Sequence, residues 1–379
     1  MRIGIVTFFR IANYGAMLQA YALWKYLEAR GHKVVFIRHA GIVPRRMRLI
    51  RCLVSRRLCG VVMKVSQYVQ SPISEFAADF PQTRFCRTLG EIQEETSDCD
   101  AFIVGSDQMW NPEWCSGALL PVVMLDFARE DQLRIAYAVS FGSDKWVSDG
   151  SENAVGRLLC KFTRISVREE SGVSLVESLS GRTDAECLID PALLLTAESY
   201  RLLMDGIPGP EGKGRYIFRY ILHERKISAE TERAFFAVRS QLGIMCFKSD
   251  RVPVRGFGSP LCRLLGVYAK LSLPNWLSEL VHSDFVFTNS FHGTVFAILF
   301  HRPFVSLLLR GSMSRMNGRL LSLLSKLGLS ERAVYADDIG KIRDMAGGVI
   351  DWKNVDERLS RLRDKTDGFF DKVVGRIGE

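Results

Sequence analysis

DFVFTNSFHGTVFAILFHRPFVSLLL, residues 284–309, changes its pattern twice within a short span. An apolar run ends at Thr288, and Asn289, Ser290, Phe291, His292, Gly293 and Thr294 interrupt it. Apolar residues then return at helical spacing, before a second β-branched run at 302–309. A strand that hands over to a helix and returns to a strand is the unit of a parallel α/β sheet. The same alternation runs through the chain. Further strands are predicted at 2–9, 33–38, 101–106, 134–142, 164–169, 185–190, 215–222 and 243–248. Between most of them lie amphipathic stretches, such as Tyr14 to Arg30 with Leu18, Tyr21, Ala22 and Leu23 on one side.

A chain of 379 residues is too long for one compact core and comfortable for two. The boundary is placed after Asp190-Pro191, where GIPGPEGKG (206–214) packs glycines and prolines into a flexible connection. The expected architecture is therefore α/β, with two Rossmann-like domains, 1–190 and 191–350, facing a central cleft. Ligands of open α/β sheets sit beyond the strands' carboxyl ends. The segment 351–379 reads as helical and is expected to pack back on the first half.

Composition narrows the functional classes. Hydrophobic residues make up 47% and charged residues 25%, an ordinary globular balance that excludes disordered and fibrous classes. A formal charge of +9 favours anionic partners. The nine cysteines include no CxxC pair and read as reduced thiols in a cytosolic protein. The N-terminus reads as a first strand without a signal peptide, and no apolar run is long enough to span a bilayer. Residues 45–64, RRMRLIRCLVSRRLCGVVMK, carry seven cations and no acid, with apolar residues at helical spacing. Such a helix suits an anionic membrane surface, and equally a core-packed helix with a solvated basic face. Nucleic acid is not expected, because no binding motif or aromatic stacking surface accompanies the charge.

Four strand ends carry chemistry. Asn13, Tyr14, Gly15 and Ala16 open a helix whose free amides favour anions, though a structural loop reads as well and GxGxxG is absent. Ser106, Asp107 and Gln108 place a hydroxyl, a carboxylate and an amide together, with Asp107 either a general base or a helix cap. Arg168 is placed either to clamp an anion bidentately or to pair with Glu169 or Glu170 on the surface. The turn Ser290–Thr294 combines helix-start amides with His292, the side chain there that exchanges a proton near neutral pH. No metal site is expected: His282, His292 and His301 are not spaced to share a helix face, and Asp98-Cys99-Asp100 precedes its strand. A Ser-His-Asp hydrolase lacks its GxSxG elbow.

The order and spacing of NYGAMLQAYAL, FIVGSDQMWNP, YAVSFG, ISVREESG, LIDPALLL and TNSFHGTVFAILFHRPF resemble the polysaccharide pyruvyltransferase family over residues 1 to 330. The resemblance implies a two-domain fold similar to GT-B glycosyltransferases and no metal or other cofactor. It implies transfer of an enolpyruvyl unit from phosphoenolpyruvate to two hydroxyls of one sugar, giving a pyruvate ketal on a cell-surface polysaccharide or its lipid-linked precursor. It also implies a cytoplasmic enzyme, peripheral at the inner face of the membrane, with 45–64 as a possible contact. Carried over position by position, His292, Asp107 and Arg168 are the expected catalytic residues. Ser290, Phe291, Gly293, Thr294, Arg315 and Arg319 are expected on the donor, and Asn13, Tyr14, Gly15, Ser106 and Gln108 on the acceptor. One departure stands out: the biochemically defined branch carries arginine two residues before the histidine, where this chain has Ser290. Arg168, Arg310, Arg315 or Arg319 would then have to supply the missing cation. Two other readings compete: a transferase of the same fold using a nucleotide sugar, and a non-catalytic family member that binds glycan.

Overall fold

The computed structural model describes residues 1–39, 75–113, 115, 117–146, 150–207, 209, 214–222, 228–253 and 268–375. The basic segment 45–64 and part of the 206–214 connection lie outside the described residues. Two parallel sheets organise the chain. The first has the order β3-β2-β1-β4-β5-β6-β7. Its strands are β1 (Arg2–Val6), β2 (Lys33–His39), β3 (Gln82–Cys86), β4 (Ala101–Val104), β5 (Leu133–Val139), β6 (Arg164–Val167) and β7 (Glu186–Cys187). The second has the order β14-β13-β12-β8-β9. It contains β8 (Tyr216–Tyr220), β9 (Cys246–Ser249), β12 (Phe285–Thr288), β13 (Phe304–Leu308) and β14 (Ala333–Tyr335). A short antiparallel pair, β10 (Arg251–Pro253) and β11 (Tyr268–Lys270), lies between β9 and β12 in sequence.

The inner strands are apolar on both faces, as AFIV in β4 and FVFT in β12 show, because helices cover a parallel sheet from both sides. Four predicted strands that ran into polar residues end earlier. Residues 105–106, 140–142, 168–169 and 289–290 leave the ladder and form the turns at the carboxyl edge. The sequence reading missed β3, an edge strand whose QTRFC opens with three polar residues and lacks an apolar run, and the three-residue β14.

Helix α1 (Tyr14–Ala29) follows β1, and α2 (Phe291–Leu299) follows β12. All nine residues of α2 are buried, so this helix is apolar on every side and lies inside the molecule. One continuous core joins the two sheets there. Tyr14 of α1 stacks on Trp276 with ring centroids 4.9 Å apart, and Trp276 meets Phe296 of α2 edge-on at 5.7 Å. Each such aromatic pair adds about 0.5–1.5 kcal/mol beyond its buried area. The C-terminal helix α3 (Trp352–Asp371) crosses to the first half. Phe370 packs on Tyr137 at 4.8 Å, Arg30 pairs with Asp367 and Asp371, and Arg363 donates to the Leu193 carbonyl. No helix of the described residues is long and apolar enough to cross a membrane.

Candidate active site

The turn between β12 and α2 is held by its own polar groups. Asn289 fixes the end of β12 by accepting from Leu222 N–H at 2.7 Å and donating to its carbonyl at 3.2 Å. The Ser290 amide donates to Thr288 Oγ1, and Ser290 Oγ caps α2 by accepting from Gly293 N–H at 3.2 Å. Thr294 Oγ1 donates to the Ser290 carbonyl and lies 2.6 Å from Ser306 Oγ. Gly293 must be glycine, since a Cβ there would stand 2.6 Å from Thr288 Oγ1. These bonds correct one expectation. Ser290, Gly293 and Thr294 spend their groups on the turn and do not form an anion nest. Phe291 and His292 hold the helix-start amides that the turn leaves uncapped.

His292 leaves the turn toward the first half. Its ring lies on Gly15 so closely that a Cβ at position 15 would stand 2.1 Å from Nδ1 and 2.6 Å from the histidine Cβ. The enclosed Nε2 lies 3.6 Å from Asp190 Oδ2, an ion-pair distance that is too long for a hydrogen bond. Asp190 is fully buried and draws the site together. Oδ2 accepts from Arg168 Nη1 at 2.6 Å and from Ser106 Oγ at 2.7 Å, and Oδ1 accepts from Ala192 N–H at 2.9 Å. Burial works to raise this carboxyl. His292, Arg168 and the Ala192 amide outweigh burial and hold it well below the usual carboxylate range. Burial works to lower Arg168, but Asp190, Asp107 and Glu169 hold it above its ordinary value.

Around this pair is a second layer. The Phe291 ring carries the Arg168 guanidinium 4.5 Å from its centroid and that of Arg319 at 5.9 Å. Burial, with Arg168 close by, lowers Arg319 to about 10, so it stays charged at neutral pH. With the Gln108 amide turned so that its oxygen faces Arg319, it accepts from both Nη atoms at 2.7 and 3.0 Å. Glu169 is buried and not on the surface: its Oε1 accepts from Ser140 Oγ and Phe141 N–H. Asp107 sits at φ 77°, a left-handed conformation costing a non-glycine residue about 1–2 kcal/mol. Its Oδ1 lies 3.9 Å from Arg168 Nη2 and accepts from the Gln108 amide. Five enclosed atoms of the cluster have no hydrogen-bond partner among the described residues: Arg168 Nε and Nη2, Arg319 Nε, Glu169 Oε2 and His292 Nε2.

The structure thus brings together His292, Arg168, Asp107, Phe291 and Arg319, with Gly15 as the floor under the histidine. Other expected residues serve differently. Tyr14 is fully enclosed, with its hydroxyl donating to the Leu271 carbonyl, so it packs the junction and cannot meet an acceptor directly. Ser106 is likewise buried and bonded to Asp190, and Gln108 is buried against Asn111 and Arg319. Asn13 caps α1 by accepting from Ala16 N–H at 3.3 Å. Arg315 pairs with Glu113, and Arg310 pairs with Asp337, both at exposed positions outside the cluster. Arg168 and Arg319 are therefore the cations that flank the turn, through the Phe291 ring. Sequence reasoning missed Asp190, and a surface pair of Arg168 with Glu169, one of its two alternatives for that arginine, does not form. Asp190 carried the same signal as the others, a polar residue after a buried strand, but in LIDPALLL it was taken as a boundary mark.

A sequence model of the family described as polysaccharide pyruvyl transferase matches residues 13–309. No curated protein matches the chain. Among solved structures, the UDP-GlcNAc 2-epimerase of Neisseria meningitidis bound to UDP-GlcNAc aligns with a TM-score of 0.50 at 11% identity. That alignment covers 97% of this chain and 100% of the epimerase. S. aureus MnaA in complex with UDP aligns with the same TM-score at 12% identity, covering 100% and 98%. At such identities these two establish the fold alone, the two-domain GT-B arrangement of glycosyltransferases and epimerases.

Proposed function

This chain belongs to the polysaccharide pyruvyl transferase family, and from that premise we propose that it transfers the pyruvyl unit of phosphoenolpyruvate to two hydroxyls of one sugar. The sugar is part of a cell-surface polysaccharide or its lipid-linked precursor, and the product is a pyruvate ketal. One observation carries the donor assignment. Arg168, held by Asp190 through Nη1, keeps its Nε and Nη2 groups without a hydrogen-bond partner among the described residues, as Arg319 keeps its Nε. That edge of a guanidinium is the one that grips a carboxylate or phosphate in two parallel bonds.

The chemistry asks for one proton given and others taken. His292 protonates the methylene carbon of phosphoenolpyruvate, and positive character develops at C2. Asp107 takes the proton of the first sugar hydroxyl as its oxygen bonds to C2. Phosphate then leaves with the electron pair of the C2–O bond, aided by Arg168 and Arg319. The second hydroxyl bonds to C2 and closes the ketal. Of the two hydroxyl protons, one is thus balanced by the proton on the new methyl group and the other leaves with phosphate. Because phosphoenolpyruvate is a cytosolic metabolite, the reaction is assigned to the cytoplasmic side of the membrane, with 45–64 as the segment that would touch it.

The test is incubation of the chain with phosphoenolpyruvate and lipid-linked oligosaccharide, following phosphate release and the new ketal methyl signal by proton NMR. Both are expected to appear together and to fall at least 100-fold in His292→Ala. Phosphate release without the methyl signal, or undiminished turnover in the variant, would refute the assignment.

A further inference from the structure

A cavity of about 600 Å³ opens at the carboxyl ends of β8, β12, β13 and β14, and it shares Asn289 with the turn that carries His292. Leu222, Leu308 and Met313 give it an apolar lining. Ser228, Thr231, Glu230, Arg310 and Asp337 supply hydroxyls, carboxylates and a guanidinium. We propose that this cavity binds an uncharged sugar unit of the acceptor glycan; the word acceptor rests on the pyruvyl-transfer reading, while sugar binding itself does not.

The charge balance selects the ligand. Arg310 Nη2 lies 2.6 and 2.7 Å from the two carboxylate oxygens of Asp337, and its guanidinium stacks 4.0 Å over Tyr335. Arg233, beside the cavity, pairs with Glu230 at 3.5 Å. Of the described residues in reach, each cation is thus matched by a carboxylate, and none of them offers a phosphate an uncompensated positive charge. The helix Ala229–Leu242 starts at the cavity, but its Ser228 cap accepts from Thr231 N–H, and its own Glu230 and Glu232 answer the positive dipole end. A nucleoside diphosphate is therefore a poor fit to these described residues. A sugar ring presents hydroxyls to carboxylates and hydroxyls while its C–H faces cover aliphatic side chains, which is what a mostly apolar pocket with a few placed polar groups can offer.

The first half gives the complementary reason. Tyr14 and Ser106, expected to meet the acceptor there, are fully buried, and His292 covers Gly15. A sugar in this cavity lies against Asn289, at the start of the turn that carries His292.

Saturation-transfer NMR on the full chain with the methyl pyranosides of the gluco, galacto and manno series tests this, with UDP and phosphoenolpyruvate as competitors. At least one glycoside is expected to receive saturation and to keep it when UDP is added. The Glu230→Gln/Asp337→Asn double variant is expected to weaken that glycoside tenfold or more, with phosphoenolpyruvate affinity unchanged. The exposed pairs these changes break add little to stability. Absence of any glycoside signal, an equal signal in the variant, or displacement by UDP would overturn the inference. Loss of phosphoenolpyruvate binding with retained, Asp337-dependent sugar binding would leave the subsite standing and remove the donor assignment instead.

Discussion

Gly15→Ala isolates the contact on which the proposed active site rests. Position 15 is in the first turn of α1, where alanine in place of glycine normally gains about 0.5–1 kcal/mol. Here the added methyl would stand 2.1 Å from His292 Nδ1, 2.2 Å from Cγ and 2.6 Å from Cβ. Because the histidine Cβ itself is in the way, rotating the ring does not clear the clash, and the start of α2 or of α1 must shift. Overpacking of this kind costs about 1–3 kcal/mol, so the net change runs from roughly neutral to about 2.5 kcal/mol of destabilisation. The effect on turnover is larger than the effect on stability. The imidazole is driven from its place over Gly15 and from its 3.6 Å approach to Asp190, and a displacement of about 1 Å in a catalytic group can cost on the order of 100-fold in rate. Phosphate release gives the rate, and urea unfolding gives the stability. The decisive control is the His292→Gly background, where the ring and the Cβ are both gone. There Gly15→Ala is expected to stabilise by about 0.5–1 kcal/mol, so the pair is strongly coupled. Equal destabilisation in both backgrounds, or wild-type turnover in Gly15→Ala alone, would refute the reasoning.

Other perturbations follow from the same cluster. The Asp190 carboxyl is held below its unfolded value of about 3.9, so it adds stability that is fully present above that pH and is lost as pH falls toward the folded value. Asp190→Asn should flatten the acid limb of the stability–pH curve and leave Arg168 buried without its carboxylate, at a cost of about 3–5 kcal/mol at neutral pH; an unchanged acid limb in urea titrations would contradict this. Arg319→Lys should raise the KM for phosphoenolpyruvate about 10- to 150-fold, the value of one charged hydrogen bond of about 1.5–3 kcal/mol, and also lower kcat, because Arg319 aids phosphate departure. An unaltered KM would remove Arg319 from the donor site. Ser290→Ala removes the α2 cap and should cost about 0.5–2 kcal/mol in thermal unfolding.

The α/β alternation was legible because buried parallel strands read as apolar runs and the turns after them as polar breaks. The positions of His292, Arg168 and Asp107 were legible for the same reason, since each follows a strand at the carboxyl edge. What each side chain does there was not. Whether Ser290 offers its hydroxyl to a ligand or to Gly293 depends on a cap geometry that one sequence does not encode visibly. The closure of His292 over Gly15 joins residues far apart in the chain, which no local pattern reports. Arg168 was read beside its sequence neighbours Glu169 and Glu170, whereas its short partner is Asp190 from the next strand end. Local spacing favours near neighbours, and the buried ion pair is a product of the tertiary fold.

Isothermal titration of the purified chain with phosphoenolpyruvate, run beside UDP-, GDP- and CMP-sugars, bears most directly on the donor assignment. Binding of phosphoenolpyruvate alone, weakened in Arg168→Lys, is the predicted result. Binding of a nucleotide sugar with no response to phosphoenolpyruvate would contradict it.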